Sequence, residues 1–147
     1  MKNTKKILVA AMALTFVSSS FANAALKVTA SPTKNISQKG GKITLKFLGM
    51  PKTHGVYVEE CMAPAKAGAQ PTVCDSDQST QVWASTVKAD LAQGASNAAK
   101  PVVITPAPYW AKGDCVHTKC ILQVVPDHNA PTDMSVMQAI PFSFATK

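Results

Sequence analysis

Four cysteines in a short chain set the strongest limit on what this sequence can fold into. Cys61 and Cys74 form one group, and Cys115 and Cys120, spaced as Cys-x-x-x-x-Cys, form another. Whether such residues cross-link or hold metal depends first on the redox compartment, and the N-terminus indicates which that is. Lys2, Lys5 and Lys6 precede an apolar run from Ile7 to Val17, and Ala22-Asn23-Ala24 follows as a small-x-small cleavage site. The run has 11 residues, against the roughly 20 that a helix needs to cross a bilayer. Residues 1–24 are therefore expected to be a signal peptide removed after Ala24, and the protein is expected to be secreted. No later stretch is apolar enough to span a membrane.

An even cysteine count in an exported chain reads as a disulfide framework. Four cysteines allow three pairings; local pairing, Cys61 with Cys74 and Cys115 with Cys120, closes two hairpin-sized loops. Neither spacing is the two-residue separation of zinc knuckles or redox dithiols, so no metal site is expected from them. His54, His117 and His128 fall on predicted turns among polar neighbours and read as surface residues.

Residues 25–147 have the length of one domain. Loss of the leader's three lysines lowers the formal net charge from +7 to +4, and the chain contains no arginine. Bidentate reading of base edges and phosphates relies mostly on arginine, and the lysines are scattered singly. Contact with DNA is expected only indirectly or through weak electrostatics.

Period-two alternation with β-branched enrichment recurs between turn residues. Strands are predicted at 26–30, 43–48, 56–61, 80–86 around Trp83, 102–105, 120–125 and 137–144. The alanine-rich stretch 85–99 contains Gly94, Ser96 and Asn97 and reads as a loop or turn. Seven short strands with local cross-links predict an all-β, immunoglobulin-like antiparallel sandwich. Trp83 is expected in the core, and Trp110 as a packing anchor over the Cys115 bridge.

Three blocks resemble the neocarzinostatin family of secreted apoproteins. They are Val28-Thr29-Ala30-Ser31-Pro32 through Ile43-Thr44-Leu45, the strand Val56 to Cys61, and Trp110-Ala111-Lys112-Gly113-Asp114-Cys115 continuing to Cys120 and the terminal Ile140-Pro141-Phe142-Ser143-Phe144. The resemblance implies a seven-stranded sandwich, a small β-ribbon subdomain and a cleft floored by Cys61–Cys74. It further implies a monomeric, antibiotic-related carrier whose only cofactor is a non-covalent, enediyne-like chromophore that damages DNA. Where the family places large aromatics, this chain has Ala63 and Ser79. Cys61, Met62, Cys74 and Tyr109 are the expected lining for a hydrophobic small molecule.

No catalytic residues are expected: there is no Gly-x-Ser-x-Gly elbow and no cysteine is left after pairing. Glu59 and Glu60 are adjacent on a strand, so they point to opposite faces and cannot act as an acid–base pair. The alternative to a carrier is a secreted or surface interaction module of the same fold that has lost chromophore binding.

Overall fold

The alternation read from the sequence is what separates inside from outside in the computed structural model, which describes residues 25–146. The leader expected over residues 1–24 lies outside the described residues. Strand β1 is Lys27–Ser31 and β2 is Ile43–Leu48. In β2, Ile43, Leu45 and Phe47 are buried, whereas Lys46 and Leu48 are exposed. Strands β3 (Val56–Met62), β4 (Val82–Ser85), β6 (Val102–Ile104), β9 (Cys120–Pro126) and β10 (Gln138–Phe142) complete the seven predicted strands.

Three two-residue strands lie outside the seven strands read from the sequence, two of them forming a small ribbon. β5 is Ser96–Asn97, and β7 (Tyr109–Trp110) pairs with β8 (Gly113–Asp114). One short helix, α1 (Lys88–Ala92), corrects the expectation that residues 85–99 only loop. Its start is fixed by Ser85, whose Oγ accepts from Val87 N at 3.0 Å and donates to Asp90 Oδ2 at 2.7 Å. Gly94, at φ +103°, ends the turn in a conformation that other residues rarely adopt.

A three-stranded sheet, ordered β1-β2-β6, packs on a five-stranded sheet ordered β10-β9-β3-β4-β5. Val28, Ile43, Leu45, Val56, Val58, Ile104, Leu122 and Val124 fill the space between them. The centre of the larger sheet is the β3–β9 pair, in antiparallel register from Val56 opposite Pro126 to Met62 opposite Cys120. Pro141 lies in β10, an edge strand, where a missing N–H is tolerated. The Gln138 side chain joins the two sheets at this edge: its Oε1 accepts from Val28 N at 3.0 Å and its Nε2 donates to Leu26 O at 3.0 Å.

Both bridges are local. Cys61–Cys74 joins residues whose Cα atoms are 3.9 Å apart, and Cys115–Cys120 joins residues 5.4 Å apart. Trp110 packs against the core cluster, and its indole lies so close over Gly113 that a Cβ there would come within 2.0 Å of the ring. Among the described residues no helix is long and apolar enough to cross a membrane.

Removing the larger loop closure has a defined consequence. In a chain-entropy picture, the Cys61→Ala/Cys74→Ala double variant loses about 3 kcal/mol of stability. Chemical denaturation of the variant and the parent protein should show this as a lowered midpoint with a similar slope.

Candidate functional site

Because side chains alternate along a strand, one β3–β9 register builds two faces. Val56, Val58 and Glu60 turn inward with Leu122 and Val124. Tyr57, Glu59 and Cys61 turn outward opposite Val125, Gln123 and Ile121. Strand β4 extends the outer face, with Trp83 opposite Tyr57.

Trp83 is thus not a core residue. Its indole is half-buried on the outer face, because Val82 and Ala84 take the inward phase of a four-residue strand. Its ring centroid is 6.1 Å from that of Tyr57 and 5.1 Å from that of His128. Tyr57 Oη and His128 Nδ1 are 2.6 Å apart. The phenol is pushed above its ordinary value by burial, then by the charges of Asp127 and Asp90, so it remains protonated at neutral pH.

Asp127 fixes this cluster from beneath. Its Oδ2 accepts from Trp83 Nε1 at 3.0 Å and from Gly55 N at 2.8 Å, and its Oδ1 accepts from Asn129 N at 2.9 Å. Burial pushes the carboxyl up, but these donors together outweigh it and hold Asp127 below the usual range. Gly55 is required here, since a Cβ would meet Ala84 O at 2.6 Å and Asp127 Oδ2 at 3.0 Å.

The other end of the face is covered. Cys61, Ile121 and Gln123 are buried, and the loop closed by Cys61–Cys74 returns across the sheet. Gln70 Nε2 lies 3.7 Å from Met137 Sδ, just before β10 and beyond β9 from β3. Glu59 sits between the aromatic pair and the bridge, its carboxylate within 4.8 Å of both bridge sulfurs. Those sulfurs are bonded to each other, so they offer no thiolate to a metal. Glu59 is half-buried, which raises its carboxyl above the ordinary value, partly offset by Gln81 Nε2 at 3.3 Å.

Of the residues expected to line a cleft, Cys61 and Cys74 meet on this outer face. Met62 follows the alternation to the inner side and packs against the core. Tyr109 lies on the ribbon, 50% exposed, with its ring 6.3 Å from that of His117. Tyr57, Trp83 and His128, which cluster on this face, were not among the residues expected to line a cleft. The signal for Tyr57 was present, since it shares its phase along β3 with Cys61. Two open concavities lie elsewhere. A groove of about 650 Å³ opens at the end of the sandwich where β3 begins, and a smaller one of about 360 Å³ runs along Thr29, Ala30, Ser31, Thr44 and Lys46.

Glu60, on the inner face, is fully buried. Its Oε2 accepts from Ala107 N at 2.7 Å, which ties the strand to the segment leading into the ribbon. Burial raises the carboxyl to about 7, the Ala107 N–H opposes the shift and the charge of Asp75 adds to it. A native carboxyl that titrates near 7, against 4.5 in the unfolded chain, binds more protons in the folded state between those values. Stability from Glu60 is therefore fully present below about 4.5 and is lost as pH rises through about 7. Urea denaturation across this window should show stability falling with pH in the parent protein, and Glu60→Gln should flatten that slope.

No protein-family model matches this sequence, and no curated protein sequence matches it significantly. A solved structure, macromomycin, is similar with a TM-score of 0.51 over 82% of this chain and 100% of its own length, at 18% sequence identity. At that identity the likeness is one of fold alone.

Proposed function

We propose that this chain is an exported, non-enzymatic carrier that holds an apolar aromatic molecule, of the enediyne-chromophore kind, on the outer face of its five-stranded sheet. The observation that carries this reading is the placement of Tyr57 and Trp83 as a cross-strand pair on the same face as Cys61–Cys74. Rings fixed by hydrogen bonds present apolar area at little entropic cost, and stacking on each contributes about 0.5–1.5 kcal/mol beyond burial. They stand in for the aromatics that Ala63 and Ser79 do not supply. Glu59, between the rings and the bridge, accepts a donor group on the ligand. The fold-level likeness to macromomycin supports the same reading.

The return of the loop across the face supports a second reading. With its bridge end covered, the face keeps only the half-exposed Tyr57–Trp83–His128 platform, and the domain then acts as an interaction module presenting these rings to a protein or glycan.

Titration with methyl 2-naphthoate, followed by tryptophan fluorescence, separates the two. The carrier reading expects a saturable change that Trp83→Phe removes while Trp110 still reports an intact fold. Tyr57→Ala should weaken binding about tenfold, which corresponds to about 1.4 kcal/mol. A parent protein whose fluorescence does not change at any probe concentration supports the interaction module instead.

A further inference from the structure

All eight acidic residues lie between Glu59 and Asp133, so the charged residues of 25–58 are lysines alone: Lys27, Lys34, Lys39, Lys42, Lys46 and Lys52. All six are exposed, and among the described residues none is paired with a carboxylate. This segment supplies β1 and β2, and the third strand of their sheet, β6, is also free of acids and follows Lys100. The three-stranded sheet is therefore built without an acid, and lysines scattered along the chain are gathered on one side of the sandwich. Two acids reach the 49–55 segment beyond β2, and both are taken up there. Asp127 accepts from Gly55 N, and Asp133 Oδ2 lies 3.1 Å from Nε2 of His54, which is buried and not the surface residue its polar neighbours suggested.

Strand alternation decides what this sheet presents outward. Lys27, Thr29 and Ser31 on β1, Thr44, Lys46 and Leu48 on β2, and Val103 on β6 form the face turned away from the core. The register sets Thr29 opposite Lys46 and Ser31 opposite Thr44. Lys27 is opposite Leu48, which makes it a diagonal neighbour of Lys46 at about 7–8 Å. Like charges held this close repel, and an anionic group between them relieves the repulsion. Beside Lys46 the concavity of about 360 Å³ runs along Thr29, Ser31 and Thr44, so hydroxyls that can both donate and accept line it.

The same face limits what can dock there. None of its outward residues is aromatic, so it lacks the large anchors of a protein interface, the stacking platforms used for single-stranded bases and the interfacial rings of a membrane-surface protein. Its exposed apolar residues do not merge into a patch: Val103 is opposite Thr44, and Leu48 lies four residues further along β2, about 13 Å away. A chain that offers anionic groups at intervals, with hydroxyls between them, matches both the lysine pair and the hydroxyl-lined concavity. We propose that the outer face of the three-stranded sheet, on the opposite side of the sandwich from Tyr57 and Trp83, is a docking surface for an acidic polysaccharide. Lys27 and Lys46 pair with its carboxylates, and Thr29, Ser31 and Thr44 hydrogen-bond its hydroxyls.

The test is an NMR titration of the whole protein with a galacturonate oligosaccharide at about 0.15 M salt, and in parallel with an uncharged glucose oligosaccharide, phosphatidylglycerol vesicles and duplex DNA. The expected result is a set of saturable amide shifts confined to residues 27–31, 44–48 and 102–104 with the galacturonate, and none with the glucose oligomer. Lys27→Gln/Lys46→Gln should weaken the galacturonate about tenfold. Lys112→Gln/Lys119→Gln, which removes the same charge around the ribbon, should leave it nearly unchanged. Equal losses in the two double variants overturn the proposal, because net charge alone would then account for binding. Vesicles or DNA that bind this face as tightly at the same salt overturn it too, as does the absence of saturable shifts with the galacturonate. Shifts confined to Tyr57, Trp83 and their neighbours also overturn it, while leaving the opposite face as the binding surface.

Discussion

The pairing of β3 with β9 is the interaction on which the rest of the molecule depends. Seven residues of each strand are in register, and that register decides which side chains face the core and which face outward. A slip of one residue would exchange the two faces. If β3 slipped, Val56 and Val58 would leave the core for Tyr57 and Glu59; if β9 slipped, Leu122 and Val124 would leave it for Gln123. The two bridges bear on this pair at the same end, through Cys61 on β3 and Cys120 on β9. At the other end Asp127, just past β9, accepts from Gly55, just before β3. One end of the pair thus carries the two loop bridges, neither of which joins β3 to β9, and the other end is tied across the strands by a charge-assisted hydrogen bond.

Carboxylates do much of the work of shaping the loops. Asp75 accepts from Asp77 N and Thr80 Oγ1, Asp114 from Val116 N and His117 N, and Asp133 from Ser135 N. Asp90 links α1 to the β9–β10 loop through Asn129 Nδ2 at 3.1 Å. Among the described residues no lysine pairs with an acid; the close charged-group contacts are His54 with Asp133 and His117 with Asp114, so the acids accept mainly from backbone and side-chain donors. Where the acceptor is shielded from water, as at Asp75 and Asp90, a hydrogen bond to a charged oxygen is worth more than most exposed ion pairs. The positive net charge is carried by lysines that are spread singly, while the acids are largely internal to the fold's turns.

Much of the architecture was legible in the sequence. The alternation in Ile43-Thr44-Leu45-Lys46-Phe47 and Val56-Tyr57-Val58 marks both the strands and their buried faces, and all seven predicted strands are present. The cysteine spacing marks both local bridges. What escaped depends on partners distant in the chain. Helix α1 is held by Ser85 and Asp90, with Asn129 reaching in from the β9–β10 loop. Trp83 looks like core by size, yet the small Val82 and Ala84 fit between the sheets while the indole's N–H needs Asp127. His54 looks exposed beside Lys52 and Thr53, but the fold closes over it. Met62 adjoins Cys61 in sequence and for that reason points to the opposite side of the sheet.

The central functional proposal is that the outer sheet face carrying Tyr57 and Trp83 holds a small molecule. Native mass spectrometry of the protein taken from the culture of the organism that makes it tests this most directly. A stoichiometric excess mass that is lost on denaturation, and that falls in the Tyr57→Ala/Trp83→Ala variant expressed in the same organism, is the predicted result. The bare mass of the polypeptide from every fresh culture would contradict it.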